Sequence, residues 1–362
     1  MKKTFLYIII IFLCREAFAQ KLSKTVVLEA RIHTGLNIPF YEALDYIIND
    51  DVSAFDISIS FPTDGSDMWE KIYRQPRTGF GYSHWELGNT EILGNAHALY
   101  CFIGIPVLRS GRFALNFQPS AGGALLTRNF DISNNYLNRA IGSPVNVFIR
   151  LGISGNFRIS HRSEIILESG LTHFSNGKTR SPNYGINAGT ISVGMNYSIN
   201  YTSPGKPPVD YPENEKKYFN TLLISAGPKV YDNLKEQKYL SGTITYNIEK
   251  EVNSWGKAGL GIFTSYDGSI REGLKEEKND ENAAFSRMIR IGAHASYSCR
   301  YKRVITGLQI GHYVYSKYKV LTNIYNRVYL QYKINPNLLG SVSIKSHWGK
   351  ADCFEYGIGY TW

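Results

Sequence analysis

Cysteine is scarce, with four in 362 residues. Cys14 lies in an N-terminal apolar segment; Cys101, Cys299 and Cys353 are far apart in sequence. That spacing excludes a disulfide framework and a paired-cysteine metal site. The three read as apolar fillers. Long apolar runs are missing too. Beyond the N-terminus no window approaches the roughly 18 unbroken apolar residues that a membrane helix needs, so a polytopic helical protein is excluded. No Gly-x-Ser-x-Gly elbow, His-Glu-x-x-His or phosphate loop occurs. No interleaved basic and aromatic motif points to nucleic acid, so none is expected as a partner. Charged residues make up 19% against 43% hydrophobic, which excludes a disordered chain.

What is present in excess is tyrosine (26), glycine (33) and aromatic residues in general, at 14%. Membrane-facing barrels use such residues, because aromatic rings sit well at both lipid–water interfaces. The formal net charge of +10 reads either as solvated loops or as attraction to an anionic surface such as phosphate-bearing lipid.

The first residues read as a processing segment. Lys2 and Lys3 precede the apolar run Phe5 to Cys14, and Ala17-Phe18-Ala19 supplies an A-x-A site. That pattern predicts a cleaved secretory signal over residues 1–19. Phe12 and Leu13 are bulky ahead of Cys14, against a lipoprotein.

Most of the remaining chain alternates with period two. Ile191, Val193, Met195, Tyr197 and Ile199 are apolar, with Ser192, Asn196, Ser198 and Asn200 between them. Tyr356, Ile358, Tyr360 and Trp362 alternate with Gly357, Gly359 and Thr361. Comparable runs fall near 24–36, 51–61, 78–87, 96–107, 112–126, 144–158 and 162–175. Others fall near 218–230, 238–250, 255–266, 286–300, 303–316, 326–335 and 339–348. Strands of about ten residues with one apolar face are the signature of a transmembrane β-barrel. A soluble β-sandwich is the rival; the secretory signal and the closing aromatic strand favour the barrel. The expected fold is all-β, an antiparallel transmembrane β-barrel of about 14–16 strands. The alternative is an eight-stranded barrel plus a second β domain. A short helix is expected near 40–49. Pro204, Pro207 and Pro208 mark a linker over 203–217, dividing a first half, 20–202, from a second, 218–362. Tight turns are expected at Arg109–Arg112 and near Ser160–Arg162, and a long Asn-rich loop at 127–143. Alternating short and long connections fit periplasmic turns and extracellular loops, although 62–77 is long where a turn is expected.

One strand carries chemistry-bearing residues on its apolar side. Ile165, Leu167, Leu171, His173 and Ser175 share one face; Ile166, Glu168, Gly170, Thr172 and Phe174 share the other. The apolar face meets lipid, where an imidazole and a hydroxyl are costly to place. Their i, i+2 spacing brings the imidazole close to the hydroxyl, as an activated serine nucleophile requires. Asn187 opens the next strand with the same parity, which places it beside His173. A His-x-Ser at a strand end is, from spacing alone, more often a polar rim than a catalytic pair. In the second half, His347 and Glu355 have the parity of the lumen and are expected to pair there as polar filling.

The segment His173-Phe174-Ser175-Asn176-Gly177, followed by Ser181-Pro182-Asn183-Tyr184-Gly185-Ile186-Asn187, resembles the lipid A 3-O-deacylase family, including its Bacteroidetes-type acyloxyacyl hydrolase-like members. Trp69 to Tyr73 before Pro76, Leu93-Gly94-Asn95 and Asn138 to Ser143 add to the resemblance, which covers about residues 24–200. It implies an outer-membrane β-barrel ester hydrolase that removes an acyl chain from lipid A of lipopolysaccharide. Lipid A and outer-membrane lipid are then the expected partners. It also implies Ser175 and His173 as catalytic residues and Asn176 at the oxyanion site. No cofactor or metal is called for. Lys178 and Arg180 in the same loop are candidates for substrate phosphates. One residue departs from the pattern: studied members carry Glu fourteen positions after the His, where this chain has Asn187. Asn187 is expected to orient His173 in place of the carboxylate. The alternative is a catalytically inactive structural or transport barrel.

Overall fold

A computed structural model describes residues 25–362 apart from 178–179, 201–216, 231–236, 254, 279–283, 319–321 and 348–349. The expected signal, 1–19, and all but the last residue of the expected linker lie outside the described residues.

Sixteen antiparallel strands form two closed barrels, each its own compact unit. The first contains β1 (Val26–Asn37), β2 (Val52–Pro62), β3 (Arg77–Glu86), β4 (Asn95–Ser110), β5 (Phe113–Leu126), β6 (Val145–Arg158), β7 (Ser163–Ser175) and β8 (Ile186–Ile199). The second contains β9 (Tyr218–Val230), β10 (Lys238–Glu251), β11 (Gly256–Asp267), β12 (Ile289–Tyr301), β13 (Val304–Ser316), β14 (Ile324–Lys333), β15 (Leu338–His347) and β16 (Lys350–Thr361). The all-β barrel reading therefore holds, but the strands do not close as one barrel of about 14–16. The expected alternative, an eight-stranded barrel with a second β domain, fits. The reason is in the ladders. β8 returns to β1 from Val26↔Ile199 to Asn37↔Ala188, and β16 returns to β9 from Tyr356↔Ala226 to Thr361↔Thr221. Once β1 and β8 pair along their length, no edge remains to take a ninth strand.

The alternation dictates what each wall shows. Along β8, Ile191, Val193, Met195, Tyr197 and Ile199 are exposed on the outside, while Thr190, Ser192 and Asn196 are buried. Eight strands leave an interior just wide enough for side chains to fill. In the first barrel that interior holds a buried ion network. Arg31 bridges Glu29 and Glu168, Arg150 also reaches Glu168, and Arg77 contacts Glu29 at 2.8 Å. Near one mouth the filling turns aromatic: Phe174 lies 5.7 Å from Trp85 and 5.5 Å from Phe148, ring centre to ring centre.

The two mouths of this barrel differ. One has short turns, at Gly111–Arg112, where Gly111 takes φ 58°, and at 159–162. The long 63–76 connection joins them there and contains the helix α1 (Met68–Ile72). The other mouth bears the loops after β1, β3, β5 and β7. The helix expected near 40–49 is a 3-10 segment, Glu42–Ile47. Its buried residues, Leu44 and Ile47, are three apart, the repeat that lines up on a 3-10 helix.

The second barrel is likewise filled. Lys229 bridges Asp267 and Asp352 at 2.6 Å each, and Arg327 meets Glu355 at 2.8 Å. His347 and Glu355 both point inward but do not pair with each other. Glu355 also accepts a hydrogen bond from Thr243, and His347 meets the Tyr313 hydroxyl at 3.0 Å. The ladder explains this: Glu355 lies opposite Ser343, whereas His347 lies opposite Lys350, several rows away.

Candidate active site

β7 runs with its lipid-side residues Ile165, Leu167 and Leu171 fully presented, 45–61% exposed. The same face ends in His173 and Ser175, both half-buried. His173 is the register partner of Asn187 on β8 and of Ile149 on β6; Ser175 is the partner of Val147. The pleat therefore gathers His173, Ser175 and Asn187 on one outward patch at the rim.

The three side chains form a hydrogen-bonded line. His173 Nδ1 lies 2.6 Å from Asn187 Oδ1, and His173 Nε2 lies 2.8 Å from Ser175 Oγ. Asn187 Oδ1 can only accept, so Nδ1 carries the proton. Nε2 is then left as an acceptor for the Ser175 hydroxyl. That is the tautomer a general base needs towards a serine. Glu168, the nearest carboxylate in the strand, is excluded from this role: it is 2% exposed and held by Arg31 and Arg150 inside the barrel.

Asn176 follows Ser175 and is 5% exposed. Its backbone N–H donates to Asn183 Oδ1 at 2.9 Å, so this N–H serves the loop fold rather than an open oxyanion pocket. Arg180 is exposed in the β7–β8 loop, and Lys178 lies outside the described residues.

Residues without a role assigned from sequence hold the imidazole. Gly185 has φ 78°, and a Cβ there would come within 2.9 Å of His173 Cε1. Only glycine meets both conditions at low cost. The Gly185 N–H donates to the Ala140 carbonyl at 2.9 Å, and Tyr184 stacks on Tyr41 with ring centres 4.3 Å apart. Ala140 belongs to the Asn138–Ser143 segment. Asn138 is fully buried, donating to the Ile92 carbonyl at 2.8 Å and accepting from the Ile141 N–H at 3.1 Å. The Asn138–Ser143 segment thus braces the loop against which His173 rests, whereas Trp69–Tyr73 belongs to the connection at the opposite mouth. The signal in sequence was Gly185 itself, placed in a Pro-Asn-x-Gly turn.

A closed barrel with an apolar outer belt and a filled polar interior defines a membrane β-barrel, here with a Ser–His–amide line on its outer wall. The lipid A 3-O-deacylase (PagL) family matches residues 53–196, and the acyloxyacyl hydrolase C-terminal domain matches residues 218–362. The chain belongs to this lipid A 3-O-deacylase and acyloxyacyl hydrolase family of outer-membrane barrels. Among solved structures, it resembles Neisserial surface protein A at 9% identity and TM-score 0.32, covering 48% of this chain and 96% of that one. It also resembles the outer membrane enzyme PagL at 16% identity and TM-score 0.30, covering 46% and 97%. No match is found among curated proteins.

Proposed function

We propose that the protein is an outer-membrane ester hydrolase that removes an acyl chain from lipid A or a related glycolipid. The observation that carries this reading is the Ser175–His173–Asn187 line on the lipid side of the barrel. Such a position reaches an acyl ester of a lipid in the same leaflet without withdrawing it from the membrane. In this reading the mouth that bears His173, with the loops after β1, β3, β5 and β7, faces outward, and the leaflet is the outer one.

In the proposed reaction, Ser175 Oγ attacks the ester carbonyl carbon while His173 Nε2 takes its proton. The imidazolium is held through its Nδ1–H on Asn187. Collapse of the tetrahedral intermediate breaks the ester C–O bond, and Nε2–H returns the proton to the departing sugar oxygen. Water then attacks the acyl-serine with His173 again as base, which releases a fatty acid. The side-chain amide of Asn176, next to the nucleophile, is assigned to stabilising the oxyanion, since its backbone N–H is engaged by Asn183. Lys178 and Arg180 are assigned to the substrate phosphates. An amide in place of a carboxylate stabilises the imidazolium less, so a slower enzyme is expected than one carrying Glu at this position.

Mass spectrometry of lipid A from cells expressing the wild type or Ser175→Ala tests the proposal. Loss of one acyl chain with the wild type alone supports it. Identical spectra identify an inert barrel that has kept the hairpin without the activity.

A further inference from the structure

The wall opposite β7–β8 bears a second outward polar cluster. His84 on β3 and His97 on β4 are register partners. Both alternate with inward residues, Ser83 and Trp85 on one strand and Ala96 and Ala98 on the other. Both imidazoles are half-buried. Their Nδ1 atoms face each other at 3.5 Å, and the Tyr82 hydroxyl lies 2.8 Å from His97 Nδ1. Phe55 walls the group, its ring centre 5.5 Å from that of His84 and 6.0 Å from that of Tyr82.

The depth of the cluster is set by the hairpin. His84 is two residues from the end of β3 and His97 two from the start of β4, so each lies about 7 Å from the rim at the usual strand rise. This is the same mouth that bears His173 and Ser175. Imidazoles placed outward at the edge of hydrocarbon call for a partner, and the ester hydrolysis proposed above uses neither of them.

The spacing suits a metal ion. Two metal–nitrogen bonds of about 2.05 Å across a 3.5 Å gap subtend about 117°, close to the tetrahedral value of about 109°. Two imidazoles with a phenolic oxygen nearby form a borderline-soft donor set, suited to zinc-class and copper-class ions rather than to magnesium or calcium. The Tyr82 oxygen is somewhat too close to His97 for an ideal tetrahedron, so it joins after a small ring shift. Among the described residues no three His, Cys, Asp or Glu side chains converge, so this is a two-imidazole site with coordination positions open to water or another oxygen donor.

We propose that His84 and His97, assisted by Tyr82, form a divalent transition-metal site on the outer wall of the first barrel, across the barrel from the Ser175 hairpin. The site stands independently of the hydrolase reading.

The test is calorimetric titration of Zn²⁺ into the purified full-length protein in chelator-free detergent. The wild type is expected to bind near one equivalent. His84→Phe or His97→Phe is expected to weaken that binding at least tenfold, and Tyr82→Phe by a few fold. Ser175→Ala is expected to bind as the wild type does. Cu²⁺ bound to the wild type is expected to show nitrogen splitting from two imidazoles in its electron paramagnetic resonance spectrum, lost in the double variant. Heat-modifiable gel mobility verifies folding. If a Phe variant fails to fold, His84→Gln and His97→Gln replace it. Absence of saturable Zn²⁺ binding by the wild type overturns the proposal, as does binding unchanged when both imidazoles are removed.

Discussion

His173 and Asn187 are direct partners across the β7–β8 ladder, and their side chains meet at 2.6 Å. A carboxylate at this position can only accept a hydrogen bond and so enforces the tautomer with Nδ1 protonated. An amide can turn its NH2 towards the ring and favour the other one, and in a Ser-His-Asp triad that replacement costs about 10⁴ in kcat. Asn187→Glu is therefore expected to raise kcat for lipid A deacylation in mixed micelles or leave it unchanged. A large loss would show that the amide itself is required.

Ser175→Ala is expected to bring deacylation down to background, because no other hydroxyl is bonded to His173 among the described residues. Ser175 is half-buried on the outer wall and supports no lumen contact. The variant should keep wild-type heat-modifiable mobility, separating lost chemistry from lost fold.

Gly185→Ala tests the cradle. The new methyl would sit 2.9 Å from His173 Cε1 on a backbone at φ 78°. The ring must then shift away from Ser175 or Asn187. A loss of about 10² in kcat is expected, in line with misplacement of about 1 Å, with urea unfolding showing only the roughly 1–2 kcal/mol that a left-handed alanine costs. Full activity would show that the loop yields without moving the imidazole.

Glu168→Ala tests the interior. It leaves Arg31 and Arg150 without their shared carboxylate in a closed lumen. Removing one member of a buried ion pair costs on the order of 3–5 kcal/mol. Urea unfolding of protein in lipid vesicles should show a loss of that size, while the outward Ser175–His173 pair stays in register.

Much of this was legible because a barrel strand translates sequence parity directly into side. The outward direction of His173, Ser175 and Asn187, and the inward direction of Glu168, His347 and Glu355, all follow from counting by twos. Partner choice does not. Glu355 and His347 share a side yet meet Arg327 and Tyr313, because pairing depends on height along the ladder and on which strand faces across the lumen. The support given by Asn138 and Gly185 was visible only as familiar sequence, since their contacts join loops separated by more than forty residues. The His84–His97 pair carries no local signal in the sequence, because the two lie thirteen positions apart with a loop between their strands.

Residue order by itself determined the strands, their faces and the closeness of His173 to Ser175, since each depends on neighbours a few positions apart. Tertiary structure alone decided that sixteen strands close as eight and eight. Closure is a long-range matter: β8 must find either β1 or β9 as its second neighbour, and alternation reads the same in both cases. It also decided that the imidazole meets both its hydroxyl and its amide, which requires the β7–β8 register and the Gly185 turn to be in place together.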